Sequence, residues 1–415
     1  MFDARHYIRG VIVCMFVALV STGAACAQNS GTEDPQSGVG ASGSEVTFAG
    51  ALVYVDGEQA FSLDGATGEP DKLFELEGEL GWSGFARLTS DGGLVYESLR
   101  DGSPSIHLGS VENGDSVLVS NVTFVHDFDG QQMLITDASD THVLQPGKDT
   151  GAPRALGIGA TLAAAISADG SEFAYASIVP TDTPETELGE LEQMLSIGTL
   201  DGTGPGAGIA RGWHAIEPLL IDDEVVLYTA YPFGGGETGD LVLFDRRSEE
   251  STALATGVRV LDRDPKGMTV AVAFAALGGP DSDSVATIDV RDPDAVDMTV
   301  FESGAGESVT AARLLPGNAG LVAAFAQEDG ASTLVAFDAR DGSQRTVAEI
   351  PDTTISEILA HPVDQVAFLV LQGGGPDPES ITRSMVACDL AEGETSTLVN
   401  GSEASLLHLI GVYDD

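Results

Sequence analysis

The sequence predicts an all-β protein, a β-propeller of four-stranded antiparallel blades, on three observations. First, an apolar strand with an aromatic or bulky residue recurs about every 40 to 50 residues, at Tyr54, Tyr96, Ile135, Tyr175, Tyr228, Phe274, Phe325 and Phe368. Second, a turn rich in Asp, Gly and Pro precedes most of these strands. Third, the chain finishes with an unattached apolar strand over residues 406–413, while the first unit lacks an innermost strand unless 46–48 supplies it. Pairing the last strand with the first unit closes the ring and removes its open edges. Eight blades are favoured over seven, the smaller number applying if the first unit is a lead-in.

The stretch 85–119 shows one unit in full. An apolar segment runs to the turn Ser90-Asp91-Gly92, and strands follow over 94–98, 105–110 and 116–119. Such a meander cannot bury both faces alone, so copies must pack on one another. The strand after each first turn lies at 51–55, 94–98, 133–136, 173–177, 225–229, 270–274, 321–325 and 366–370. The turns are Ser90-Asp91-Gly92, Asp129-Gly130, Ala168-Asp169-Gly170, Asp264-Pro265-Lys266-Gly267, Leu315-Pro316-Gly317-Asn318 and His361-Pro362-Val363-Asp364. Pro presets the first turn position, Asp bonds the local backbone, and Gly or Asn accepts positive φ. A third strand follows at 59–64, 105–110, 141–144, 194–200, 240–245, 284–290, 333–338 and 385–390. Weaker fourth strands, such as 72–74, 252–254 and 345–347, suit the outer rim.

These residues resemble the WD40-like, TolB-like family of periplasmic propellers, whose repeat centres on a Ser-Pro/Ala-Asp-Gly turn before an apolar-aromatic strand. The best match is Ile166-Ser167-Ala168-Asp169-Gly170-Ser171-Glu172-Phe173-Ala174-Tyr175. The resemblance covers residues 46–413 and implies the fold, with little to say about activity. Asp64-Gly65-Ala66-Thr67-Gly68 also looks like a quinoprotein propeller repeat. Those repeats use tryptophan docking between blades, and with only Trp82 and Trp213 present a quinone cofactor is discounted.

The ends and the charge set the context. Residues 1–26 read as a lipoprotein signal peptide: Arg5 and Arg9, an apolar core over 11–20, then Gly23-Ala24-Ala25-Cys26. This resembles the lipobox of bacterial lipoproteins, with Cys26 as the lipidation site. Ordinary cleavage after Ala27 is the rival reading. Residues 27–45 form a Gly/Ser/acidic tether and 46–415 a single propeller domain. The expected location is the bacterial cell envelope, lipid-anchored at the outer membrane on its periplasmic or surface side. Lys+Arg total 18 against 65 Asp+Glu, for a net charge of −47, which excludes nucleic acid as the main partner and leaves the lipid anchor as the membrane contact. Of three cysteines only Cys388 remains in the domain, in an apolar segment, so it reads as a small buried side chain.

Binding is expected on the rim formed by the long loops between second and third strands, at 178–193, 230–239, 275–283 and 371–383. The first carries Glu185 and Glu187 in a short helix expected over 184–191, and the second displays Tyr231 and Phe233 beside glycines. No continuous catalytic motif is present. Gly81-Trp82-Ser83-Gly84 falls short of a Gly-x-Ser-x-Gly elbow, which argues against a prolyl-oligopeptidase-type peptidase. None of the histidines is paired at metal-ligand spacing, and His361, before Pro362, reads as structural. Asp127-Phe128-Asp129-Gly130 and Asp281-Ser282-Asp283 read as solvated turns, with Ca²⁺ the one cofactor candidate.

Two functions follow. The leading expectation is a non-enzymatic, monomeric scaffold that binds a protein or glycan on the long-loop rim. The alternative is a Ca²⁺-dependent propeller hydrolase, lactonase or lyase with a metal site in the central channel. Inward Asp, Glu, Asn or His side chains converging at the top of the channel would mark the enzyme, and an apolar or plugged channel the scaffold.

Overall fold

The computed structural model describes residues 46–81, 84–100, 103–110, 114–146, 153–179, 192–212, 214–232, 238–275, 283–301, 307–327, 329–374, 381–400 and 407–413. Within them the chain alternates strand and turn almost throughout, with one short 3₁₀ turn at Pro316–Asn318. The local cause is turn chemistry repeated at short range. Asp169 shows it: its Oδ1 accepts the Ser171 N–H at 3.0 Å, and the Gly170 N–H reaches Ser167 O at 2.9 Å. Gly170 sits at φ +70°, a conformation glycine adopts without strain.

Each unit is an antiparallel meander. The fourth, for example, runs Ala163–Ile166, Glu172–Ile178, Gln193–Thr199 and Ala207–Gly212, paired in that order. Among the described residues there are seven hydrogen-bonded sheets, and one of them holds two meanders. There the outer strand of the fifth unit continues without a break into the inner strand of the sixth, as Glu250–Asp264. The expected fourth strand at 252–254 is therefore only the start of a longer one. Nothing but Gly257 interrupts the stretch, and at φ +65° it marks a bulged step in the ladder rather than a chain reversal.

Side chains alternate between the two faces of each sheet, so successive residues enter different seams. In Ala51–Asp56, Leu52 and Tyr54 pack toward the last unit with Phe368 and Val370, while Val53 and Val55 pack toward the second with Leu94 and Tyr96. Similar apolar seams join every consecutive pair of units. Burying one large side chain is worth about 1.5–3 kcal/mol, so each seam is a substantial adhesive.

Closure is by the last strand. Leu407–Tyr413 pairs antiparallel with Ala51–Asp56 as the innermost strand of the first unit. Residues 46–48 form no strand. Instead Phe48 is buried against Phe368, ring centres 4.7 Å apart and edge to face. His361 fastens this lead-in: it bonds the Ala49 carbonyl through Nε2 at 3.0 Å, while Nδ1 accepts the Asp364 N–H at 2.8 Å. The fold is a β-propeller.

Candidate functional site

Inner strands present one edge to the central channel, with backbone groups that the sheet leaves unpaired. Six of them carry one extra residue in the ladder, at His126, Leu219, Leu261, Thr310, Ser356 and Ile410. A bulge re-aims the side chains that follow it. In three units the next residue is acidic, and each reaches the neighbouring unit. Asp127 Oδ2 accepts the Ile166 N–H at 2.8 Å, Asp262 Oδ2 the Leu314 N–H at 2.8 Å, and Glu357 Oε2 the Leu409 N–H at 3.0 Å. Glu357 Oε1 also lies 2.7 Å from His408 Nδ1.

Arginines meet these carboxylates near the tight-turn end. One step before the end of the inner strand, the ladder pairs Arg87 with Val95, Asp127 with Leu134, Arg263 with Val270 and Arg313 with Val322. The same step in the other units is Ala165, Leu220, Leu359 and Val412. Arg263 Nη2 donates to Asp127 Oδ1 at 2.6 Å, joining the sixth unit to the third across the channel, and Nη1 donates to Leu219 O at 2.8 Å. Arg313 Nη1 donates to Asp262 Oδ1 at 2.7 Å and Nε to Ile358 O at 2.9 Å. Arg87 differs. Among the described residues it forms no ion pair; its Nη1 bonds only the adjoining Ala86 carbonyl, at 2.8 Å, and its guanidinium carbon lies 5.8 Å from the Phe85 ring centre. Arg87 is exposed, yet the protein crowded around its guanidinium lowers its proton affinity, as do Arg313 and Arg263, while Asp262 and Asp127 act the other way.

Toward the other end of the channel, Glu217 and Tyr231 sit diagonally on adjacent strands of the fifth unit, opposite Thr229 and Ala215 respectively. The Glu217 carboxyl is open to the lumen yet surrounded by protein, and this burial raises its pKa; Arg263 and a hydrogen bond from the Tyr231 side chain act to lower it. The Tyr231 phenol is pushed up to about 12, by burial and then by the Glu217 charge. A third polar group, His126, is half-buried and bonded to two buried threonines. His126 Nε2 lies 2.7 Å from Thr136 Oγ1 and 3.1 Å from Thr161 Oγ1, and burial pulls its pKa down to about 4. Both threonines are about 1% exposed, so this is a satisfied internal network rather than an accessible nucleophile.

The expected binding residues fare unequally. Tyr231 closes its strand half-buried, with its hydroxyl turned to Glu217 rather than displayed on a loop. Cys26, Glu185, Glu187 and Phe233 lie outside the described residues, as do the helix expected at 184–191 and Asp281 and Ser282. Cys388 is buried, and that burial pushes its thiol up to about 12. The motif at 127–130 divides: Asp129 caps its turn through the Gln131 N–H at 2.7 Å, whereas Asp127, read as part of a solvated turn, enters the channel. Both Asp127 oxygens and both Asp262 oxygens already accept donors, and no group of three or more metal-ligating acidic, His or Cys residues occurs among the described residues.

Sequence reasoning missed Arg87, Asp262, Arg263, Arg313 and Glu217, and placed Asp127 in a turn rather than in the channel. A signal was available for the arginines. Ala86-Arg87-Leu88, Leu261-Asp262-Arg263 and Ala312-Arg313-Leu314 each set a charge into the strand just before the turn. A second concavity, a cleft of about 490 Å³ on the tight-turn face, is lined by Gln132, Arg154, Glu172 and Asp223 among others. Two of its charged groups are engaged: Arg246 pairs with Glu172, and Arg154 donates to the Leu200 and Gly202 carbonyls.

No family model and no curated protein matches the sequence. Solved structures do match. A prolyl endopeptidase is similar at 12% identity and TM-score 0.53, over 78% of this chain and 50% of that one. A puromycin hydrolase is similar at 13% identity and TM-score 0.50, over 77% and 54%. A putative 6-phosphogluconolactonase from Bacteroides fragilis aligns at 13% identity and TM-score 0.48, over 87% and 98%. This chain thus spans about half the length of the first-named enzymes. At such identities the likeness concerns the fold. It nonetheless corrects the expectation of a non-enzymatic scaffold, because the structures that share the fold are named as enzymes. That expectation rested on the lack of a continuous catalytic motif, and a channel assembled from separate blades needs none.

Proposed function

We propose that the protein is a propeller hydrolase acting within the central channel, with Glu217 as its acid–base group. The observation that carries this reading is the Glu217 carboxyl itself: open to the lumen, its pKa raised, and oriented by Tyr231. A carboxyl shifted toward neutrality takes a proton from an attacking water and returns it to the leaving oxygen. Tyr231, held protonated, donates to the carboxylate and fixes its direction. The substrate class that suits one such group is an ester or lactone. Each meander counts as one blade, eight in all, and the Ser167-Ala168-Asp169-Gly170 turn relates the repeats to the TolB-like propellers. Export and lipid anchoring at Cys26 complete the proposal, and a Cys26→Ala variant that stays in the detergent phase on partitioning would refute the anchor.

The test is turnover of a chromogenic ester and lactone panel by the purified protein, after chelator treatment and again with Ca²⁺ restored. Glu217→Gln should lower kcat by about 10²-fold or more, with KM little changed. Turnover equal to wild type in Glu217→Gln would sink the assignment. Activity only after Ca²⁺ is restored would make the ion the catalyst's partner.

A further inference from the structure

Arg87 is the feature that the hydrolase reading leaves unused. In a chain with 65 acidic residues and 18 basic ones, a guanidinium with no carboxylate partner among the described residues stands out. The charged groups that act on Arg87 are Arg313, Asp262, Arg263 and Asp127. Their charges cancel, and the two carboxylates are consumed by the two arginines, by Leu314 N and by Ile166 N. One positive charge is left over. Its backbone contact to Ala86 uses one N–H of the five that a guanidinium carries. Phe85, beneath the plane, fixes the group without neutralising it.

The geometry points to a binding site for a monoanionic carboxylate ligand at Arg87, in the tight-turn mouth of the channel, on the face opposite the long loops. A guanidinium fork matches a carboxylate with two parallel hydrogen bonds. Charge decides between anions: one carboxylate neutralises the surplus, whereas a phosphate dianion would add an uncompensated negative charge to a protein already at −47. The flanking ion pairs hold the mouth rigid, so the site is formed before its ligand arrives. This site stands on Arg87 alone and does not depend on catalysis at Glu217.

The experiment is calorimetric titration of benzoate into the full chain at fixed ionic strength, with benzamide as the neutral control and inorganic phosphate as the dianion. Saturable 1:1 benzoate binding is expected, with benzamide at least about tenfold weaker, a difference of about 1.4 kcal/mol. Arg87→Gln should weaken benzoate by about tenfold or more, Arg87→Lys should recover part of it, and neither should lower Tm by much, because among the described residues Arg87 touches only the adjoining Ala86 carbonyl and the Phe85 ring. Glu217→Gln should leave benzoate affinity unchanged, which separates failure here from failure of the hydrolase reading. Benzoate binding that is undetectable, or equal in wild type and Arg87→Gln, would overturn the site; phosphate binding tighter than benzoate would overturn its monoanion preference.

Discussion

The same residue type does two different jobs in two regions of this molecule. On the tight-turn rim, Asp245 Oδ1 accepts the N–H of Arg247, two residues on, at 2.7 Å, and Asp338 and Asp389 do the same for Arg340 and Ala391 at 2.8 and 2.7 Å. In the channel, Asp127, Asp262 and Glu357 accept N–H groups 39, 52 and 52 residues away, on the next unit. The rim carboxylates shape one turn each, and water replaces them readily. Each channel carboxylate holds two units together, and Asp127 and Asp262 also balance an arginine, so the loss of either aspartate leaves a charge and a backbone donor without partners. Position relative to the ring, rather than residue type, sets the value of an aspartate here.

That comparison can be broken most directly by paired substitutions. Asp262→Ala should cost about 3 kcal/mol in urea unfolding, toward the low end for a broken buried ion pair because Arg313 is 39% exposed. Asp245→Ala, on the rim, should cost less than about 1 kcal/mol. Equal losses would mean that the channel bonds add nothing beyond turn capping.

Acid sharpens the comparison, because the two regions titrate in different windows. His126 has a pKa of about 4 when folded and about 6.5 when unfolded, so between those values the unfolded chain binds the extra proton. Stability from this group is intact above pH 6.5 and is lost as pH falls toward 4, by about 1.4 kcal/mol per unit, or on the order of 3 kcal/mol in total. His126→Gln should flatten that slope. The Asp169 carboxyl on the rim is held below its ordinary range by the Ser167 hydroxyl and the Ser171 N–H, so its contribution is present above about pH 4 and lost only below it. Coincident acid transitions in wild type and His126→Gln would contradict the assignment.

The smallest expected effect has the opposite sign. Glu217 has a raised pKa, so folding favours its neutral form and the ionised form costs stability above that pKa. Glu217→Gln should therefore raise Tm slightly at pH 8, with the gain fading as pH falls to 4 and below. A lower Tm at pH 8 would show that the ionised carboxylate stabilises the channel.

Much of the fold was legible because its signals are local. The strands expected at 133–136 and 59–64 occur as Met133–Thr136 and Gln59–Asp64, and that expected at 366–370 extends to Val366–Gly373. The unattached final strand was correctly matched to the first unit because an unpaired edge needs a partner. The continuous strand Glu250–Asp264 was not legible, since no turn residue other than Gly257 marks where one unit ends. The channel site was not read either. Asp127 was placed with Asp129 in a turn, two residues away, and its actual partner Arg263 is 136 residues away.

By itself, then, the sequence determined the repeating strand and turn pattern, the turn aspartates and the closure, all of which follow from hydrogen bonds over two or three residues and from the period of apolar positions. Only the tertiary structure decided which charges meet. Ring closure brings strands from the second, third, sixth and seventh units to one level of a channel, and a single bulged residue in a strand settles whether the next side chain reaches it. The energy of such a contact depends on how far water is excluded and on which opposite charge stands across the lumen, and neither is a property of the neighbouring residues in the chain.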